Sequence, residues 1–324
     1  MFNEFDLIER IGRRLGGEQT ARGVVVGVGD DAAVLRPTLG RDVVVTCDTL
    51  IEGRHFDLRY MSAVDVGYRA MVVNVSDVAA MGGEPVWAVV ALELRDAIDE
   101  AFVETMYDGV LEASRAYGFA VVGGNVVGGV TRLGIAVTMG GEVDAGKAWR
   151  RAGAKVGDGV YVTGVLGGAA LGLRALRVGS DGGEADSAAT WIARYRRPTA
   201  RLVEARALAR AGCVTACIDV SDGLAQDLGH LADASGVGLV VQARDIPLAP
   251  GYDKGAERFF DDPWTAALSS GDDYELAFTS RAVPPVGTRI GDVVAGSGVS
   301  MIDRYAAPIR LPHRAGFDHG SDPR

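Results

Sequence analysis

Residues 27–34 read GVGDDAAV, directly behind the VVV run at 24–26. The spacing Gly27-x-Gly29-x-x-Ala32 fits the loose fingerprint of a dinucleotide-binding turn, and Asp48 follows at about the 20 residues expected of a ribose-binding acid. A phosphate turn, however, offers bare backbone N–H groups and a helix N-terminus to its anion. Asp30 and Asp31 would set two negative charges against it. Pro37 comes too soon for a long helix, so AAVLRP reads as a short strand. The nicotinamide-binding fold is therefore disfavoured. The paired acids read as part of a metal site that draws further acids from elsewhere.

Working outward, RDVVVTCDTL (41–50) reads as a strand carrying Asp48, and EGRHFD (52–57) as a polar loop. From Asp65 to Met81 the pattern turns helical, with Val66, Ala70, Val73, Asp77 and Met81 on one face and Gly82-Gly83 as the stop. Asp77 then lies on an apolar face, where an unpaired charge is costly. It is either half of a buried ion pair or a cation ligand, and the many unpartnered acids favour the ligand. A strand (86–92) and a helix (about 97–117) follow. FAVVGGNVVGG is expected to break into a glycine turn at Gly123-Gly124-Asn125, and RLGIAVTMGGEV to return as a strand.

The basic, glycine-punctuated stretch AGKAWRRAGAKVGDGV (145–160) marks a junction between two halves, residues 1–145 and 146–324. Gly141-x-x-x-x-Gly146-Lys147 imitates a P-loop, but Ala148 stands where a magnesium-binding hydroxyl is required. Beyond it, VYVTGVLGGAALGLRAL reads as strand, glycine turn and helix, and GSDGGEADSAAT (179–190) as a loop. ACIDVSDGLAQDLGHL is a strand ending at Asp219, then a helix with Leu224, Leu228 and Leu231 inward and Ser221 or Asp222 as its cap. ALSSGDDYELAFT (267–279) is a glycine–acid turn feeding a strand. NVSDVAAMG and DVSDGLAQDLG echo each other across the halves. The alternation of strands and helices predicts an α/β or α+β build.

Composition bounds the rest. The chain has 324 residues, 48% hydrophobic and 23% charged, with a net charge of −10 and no basic block. That balance argues against nucleic-acid or anionic-membrane binding. At the N-terminus, Phe5, Ile8, Ile11 and Leu15 suit one face of a short helix rather than a signal peptide, so a cytoplasmic protein is expected. The longest apolar run, VWAVVAL (86–92), is too short to span a bilayer. Cys47, Cys213 and Cys217 form no disulfide framework and read as buried, inert thiols. His55, His230, His313 and His319 lack metal spacing.

What remains is a series of acids beside glycines at element ends: Asp30, Asp31, Asp48, Asp77, Asp219, Asp222, Asp272 and Asp273. Crowded carboxylates repel one another unless protons or cations intervene. Oxygen donors without histidine select magnesium or manganese over zinc, and magnesium points to nucleotide phosphates.

In this order, GVGDDAAVL, CDTLIEGRHF, NVSDVAAMGGEP, VVGGN, RRAGAKVGD, IDVSDGLAQDLGHLADASGVG, SGDDYELAFT and the tail GFDH span nearly the whole chain. The series resembles the thiamine-monophosphate kinases, of the aminoimidazole ribonucleotide synthetase superfamily. That resemblance implies a two-half architecture, with an N-terminal α/β half pairing in a homodimer and a C-terminal α+β half. It also implies an ATP site without a P-loop, reached through several magnesium ions. Asp31, Thr46, Cys47, Asp48, Asp77, Asn125, Asp219 and Asp222 fall at the family's metal positions. Tyr107, Gly124, Asn125, Arg151 and Ser221 fall at its nucleotide positions, and His55, Asp272 and Phe317 near the thiamine phosphate. The chain departs from the family pattern at Asn125 (usually Asp), at Asp272 (usually Glu) and in GFDH (usually GYDH).

The activity implied is phosphorylation of thiamine monophosphate by ATP, with no residue acting as a general base. Its rivals are another ATP-dependent enzyme of the superfamily and a nucleotide-binding protein with weakened catalysis, for which Asn125 is the motive.

Overall fold

The structure, a computed structural model, describes residues 4–16, 22–179, 186–262, 264–303 and 307–309. The chain divides into two compact units. The first runs to Ala148 except for Ala79–Gly82, which join the second, and the second continues from Trp149.

The first unit contains α1 (Glu4–Gly16), β1 (Val24–Val26), β2 (Val34–Leu35), β3 (Arg41–Ile51), α2 (Ala63–Ala80), β4 (Glu84–Arg95), α3 (Glu100–Tyr117), β5 (Ala120–Val130) and β6 (Gly134–Asp144). Its main sheet has the order β3-β6-β4-β5, with β4 and β5 parallel and the other pairs antiparallel. Parallel neighbours need a crossover, and α3 supplies it. That helix starts where Asp99 accepts the Phe102 N–H and stops at left-handed Gly118.

Alternation along the strands sends Ala88, Val90, Leu92, Val137 and Met139 to a buried face, each at most 1% exposed. The other face shows Val43, Val45 and Val127 at 46%, 58% and 44% exposure. In α1 the buried stripe is Leu7, Ile11 and Leu15, while Ile8, expected inward, is 41% exposed. The four-residue spacing from Leu7 makes the tighter stripe.

The glycines at 123–124 do not make a turn. They lie inside β5, where a register shift sets Val121 and Gly123 opposite Ala88 and Val89. A Cβ on Gly124 would come within 2.2 Å of the Val90 carbonyl oxygen. Glycine serves there as a point of close backbone approach in a bulged strand.

The second unit contains β7 (Gly159–Val162), α4 (Gly168–Arg177), α5 (Asp186–Arg196), α6 (Leu202–Ala211), β8 (Val214–Val220), α7 (Leu224–Ser235), β9 (Gly238–Gln242), α8 (Tyr252–Phe259), α9 (Thr265–Leu268), β10 (Glu275–Ser280), β11 (Thr288–Val294), β12 (Gly298–Ile302) and β13 (Pro308–Ile309). Its seven-stranded sheet has the order β13-β12-β9-β11-β7-β10-β8. Leu224, Leu228 and Leu231 of α7 are fully buried in its core. Each contributes on the order of 1.5–3 kcal/mol of burial.

The loop expected over 179–190 is helical from Asp186. Trp191 and Tyr195, four residues apart, are both buried, and Trp191 Nε1 donates to the Pro250 carbonyl at 2.8 Å. This aromatic anchor outweighs the turn-rich composition before it. The two VSD motifs also part company: Asn74–Asp77 lies inside α2, and Asp219–Asp222 leaves a strand. No described helix is long and apolar enough to cross a membrane.

Candidate functional site

In the first unit, β3 sorts its residues by parity. Thr46 and Asp48 pair with Met139 and Val137 of β6, both fully buried, which puts them on the helix-covered face. The Thr46 hydroxyl donates to Asp77 Oδ2 from α2. Thr46, Asp48 and Asp77 thus lie on one side of the sheet, with the hydroxyl fastened to the α2 carboxylate.

Cys47 lies on the opposite, exposed face, with Thr138 Oγ1 3.5 Å from its sulfur. A thiol on an edge strand's outer face is not the buried group expected. Cys213 is half-buried, and Cys217 is buried, which pushes its thiol pKa well above the ordinary range. Asn125 pairs with Ala91, which pairs with Ala136 and so with Thr49. It therefore falls in the outer row with Cys47, not with Asp48.

Asp30 and Asp31 occupy an exposed turn closed by the Asp31 N–H to Asp30 Oδ1 (2.9 Å), and Gly29 stands at φ 121°. The two-residue β2 follows instead of a helix. The turn therefore lacks the helix N-terminus a dinucleotide needs.

The 52–56 loop is anchored by Glu52, which takes Arg95 Nε and Nη2 at 2.7 and 3.0 Å. That hydrogen-bonded guanidinium holds the Glu52 carboxyl below its usual range despite partial burial. His55 Nδ1 accepts the Ile51 N–H at 3.0 Å. With Nδ1 occupied as an acceptor, a neutral ring carries its proton on Nε2 and presents a donor. Tyr107 is buried within α3, which raises its phenol pKa.

In the second unit, β8 delivers a buried Asp219 and then the turn Ser221-Asp222-Gly223. Neither Ser221 nor Asp222 caps α7. Its N-cap is Gly223, which has no side chain to offer. Instead Asp227 Oδ2 accepts the N–H groups of Ser221, Asp222 and Gly223 at 3.1, 3.2 and 3.1 Å. Burial and the nearby Asp222 charge push the Asp227 pKa up to about 7 against those three bonds.

The segment carrying Asp272 lies alongside. The Asp272 N–H donates to the Ser221 carbonyl (2.9 Å) and the Tyr274 N–H to the Val220 carbonyl (2.8 Å). Both residues are left-handed, at φ 74° and 51°, and the Tyr274 hydroxyl donates to Asp272 Oδ1 at 3.2 Å. Arg151 is exposed, with its carbonyl accepting the Ser235 hydroxyl at 3.0 Å. Phe317, His313 and His319 lie outside the described residues.

Sequence reasoning missed a cavity of about 330 Å³ beside Asp272 and Asp273, lined by Arg194, Arg197 and Arg201. Arg201 makes a bidentate pair with buried Glu275 (2.6 and 2.5 Å), and Glu275 also accepts the Thr163 hydroxyl at 2.7 Å. Burial pushes Asp273 up to about 8, opposed by the Gly167 N–H that it accepts at 2.8 Å. The signal was the arginine-rich stretch RYRRPTAR (194–201), three of whose four arginines line the cavity.

Within each unit, and among the described residues, no three His, Cys, Asp or Glu side chains form a ready-made metal nest. A donor set of one or two carboxylates and a hydroxyl suits magnesium, which keeps waters and takes its remaining ligands from substrate phosphates.

Two family models match the chain: AIR synthase related protein, N-terminal domain, over residues 29–143, and the C-terminal domain of the same group over 155–279. A thiamine-monophosphate kinase of Escherichia coli K12 is 37% identical over 334 residues, covering 99% of each chain. A crystal structure of thiamine-monophosphate kinase from Stenotrophomonas maltophilia K279a superposes with a TM-score of 0.78 at 36% identity, covering 93% of this chain and 96% of that one. AaThiL complexed with AMPPCP and TMP gives 0.78 at 33% identity, covering 98% and 96%.

Proposed function

The chain belongs to the thiamine-monophosphate kinase family, and from that premise we propose that it transfers the γ-phosphoryl group of ATP to thiamine monophosphate, giving thiamine diphosphate. The observation carrying this reading is 37% identity over 99% of both chains with a relative of that name. A relative complexed with AMPPCP and TMP supports the same two substrates.

A phosphate monoester loses its second proton near a pKa of about 6, so the acceptor is a ready nucleophile at neutral pH. The protein then needs no general base. His55, whose Nδ1 is taken by a backbone amide, donates through Nε2 to the acceptor. What the chain must do is hold two anions together and offset the charge that develops between them.

Thr46, Asp48 and Asp77 of the first unit would offer oxygen donors to magnesium, as would Asp31 at its exposed turn; Asp219 and Asp222 of the second unit are candidate donors within that unit. Bound magnesium supplies charge neutralisation at the phosphates. Ser221, the Arg151 guanidinium, Gly124 and Tyr107 are the residues proposed to bind the nucleotide. Asp272 and Phe317 contact the thiamine moiety.

We also propose that the chain acts as a homodimer in the cytoplasm. The exposed Val43, Val45 and Val127 on the outer sheet face support a second copy covering that face.

The decisive assay incubates purified protein with ATP, magnesium and thiamine monophosphate and follows thiamine diphosphate and ADP. Acceptor-dependent ADP release with matching thiamine diphosphate is expected. ADP release only with a different acceptor, or nucleotide binding without turnover, would overturn the reading.

A further inference from the structure

We propose that Asp227 is a positioning residue that sets the Ser221–Gly223 turn and, through it, Asp272, so that one buried carboxylate aligns the nucleotide side and the acceptor side of the site. The proposal rests on the roles given above to Ser221, Asp222 and Asp272.

One oxygen, Asp227 Oδ2, accepts three successive N–H groups, from Ser221, Asp222 and Gly223. Amides curled about one acceptor make a turn whose shape depends on that acceptor. Asp227 is 2% exposed, so water is a poor substitute. It stands in the first turn of α7, and its own N–H donates to the Gly223 carbonyl at 3.0 Å, closing the loop on itself.

The carbonyl side of the same turn is held by the neighbouring segment. Ser221 O accepts the Asp272 N–H at 2.9 Å, and a Cβ on Gly271 would lie 1.9 Å from that oxygen, so only glycine fits. Asp272 is held in a left-handed conformation, which non-glycine residues adopt only when their surroundings impose it. The Ser221 peptide is therefore clasped from both sides. A shift on the Asp227 side passes through that peptide to Asp272.

The test compares D227A and D227N in the full chain. It measures circular dichroism, Tm, KM for ATP and for thiamine monophosphate, kcat, and calorimetric binding of a non-hydrolysable ATP analogue with magnesium. Asn retains an acceptor oxygen, so D227N is expected to stay within about threefold of the parent. D227A, folded but with its turn released, should weaken analogue binding and raise both KM values about tenfold or more. Parental binding and KM values in a folded D227A would overturn the proposal and leave Asp227 as a local brace of the turn before α7. Should D227A fail to fold, D227S, whose short hydroxyl cannot reach all three amides, replaces it under the same criteria. The analogue titration needs no turnover, so it reads Asp227 even if thiamine monophosphate is the wrong acceptor.

Discussion

Thr46 and Asp77 meet across the strand–helix boundary of the first unit, the hydroxyl on β3 donating to the carboxylate on α2. Because the donor is Thr46, an Asn at position 77 can still accept its hydrogen bond through the amide oxygen. Asp77→Asn therefore separates charge from architecture. Its Tm should stay near the parent's, while kcat falls about 10²–10³-fold, the scale for losing one electrostatic contributor in a phosphoryl-transfer site. Asp48→Asn should behave alike. Near-parental turnover at limiting magnesium in either variant would remove that residue from the metal sphere.

His55 is expected to be the Nε2–H tautomer when neutral, because Nδ1 receives the Ile51 amide. Nitrogen NMR of selectively labelled protein reads this directly, and an Nδ1–H signal would contradict it. His55→Asn keeps an acceptor near that amide but removes Nε2. It should raise KM for thiamine monophosphate by about tenfold, the scale of a charge-assisted hydrogen bond, and spare that for ATP.

Asp273 gives stability a pH dependence of a stated sign. Its folded pKa of about 8 lies above the ordinary value of 3.8, so folding takes up a proton between those limits. Its contribution is fully present below the unfolded value and is lost as pH rises through the folded one. Asp273→Asn should remove that slope, gaining Tm relative to the parent as pH rises from about 4 to 9. Parallel Tm curves for the two proteins would show that Asp273 titrates normally.

Asn125 bears on metal demand. The register sets Asn125 in the outer row of the sheet, away from Asp48, so Asn125→Asp should leave the free magnesium needed for half-maximal rate unchanged. An added charge within the metal sphere would lower that midpoint by a few-fold, about the effect of one charge in a solvated site. A lower midpoint in the variant would therefore place residue 125 in the metal sphere.

Much of this was legible in the sequence because it is local. The strand-forming run over 41–50 and the helical spacing from Val66 to Met81 produced β3 and α2, and the leucines of α7 are as buried as their spacing required. The errors come from partners that no local pattern marks, whether far away in the chain or a few residues on. Gly124 looked like a turn residue, since only the Val90 carbonyl explains why glycine sits in a strand. The cap of α7 went to Ser221 or Asp222, since nothing marks Asp227 as reaching back to three amides. Arg95 lies 43 residues from the Glu52 it holds, and no spacing rule joins them. Trp191 made a helix where composition promised a loop.

The pairing of β3 with β6 runs unbroken from Arg41 to Ile51. Since strand parity decides which side chains face α2, inserting or deleting a single residue in β3 would exchange Thr46 and Asp48 for Cys47 and Thr49 across half of the ladder. Single-residue substitutions on either face leave the other face's chemistry in place, whereas a length change inverts both together. Variation in this segment is therefore confined to letters and closed to indels, and a library with mixed β3 lengths should yield active clones at the parental length alone.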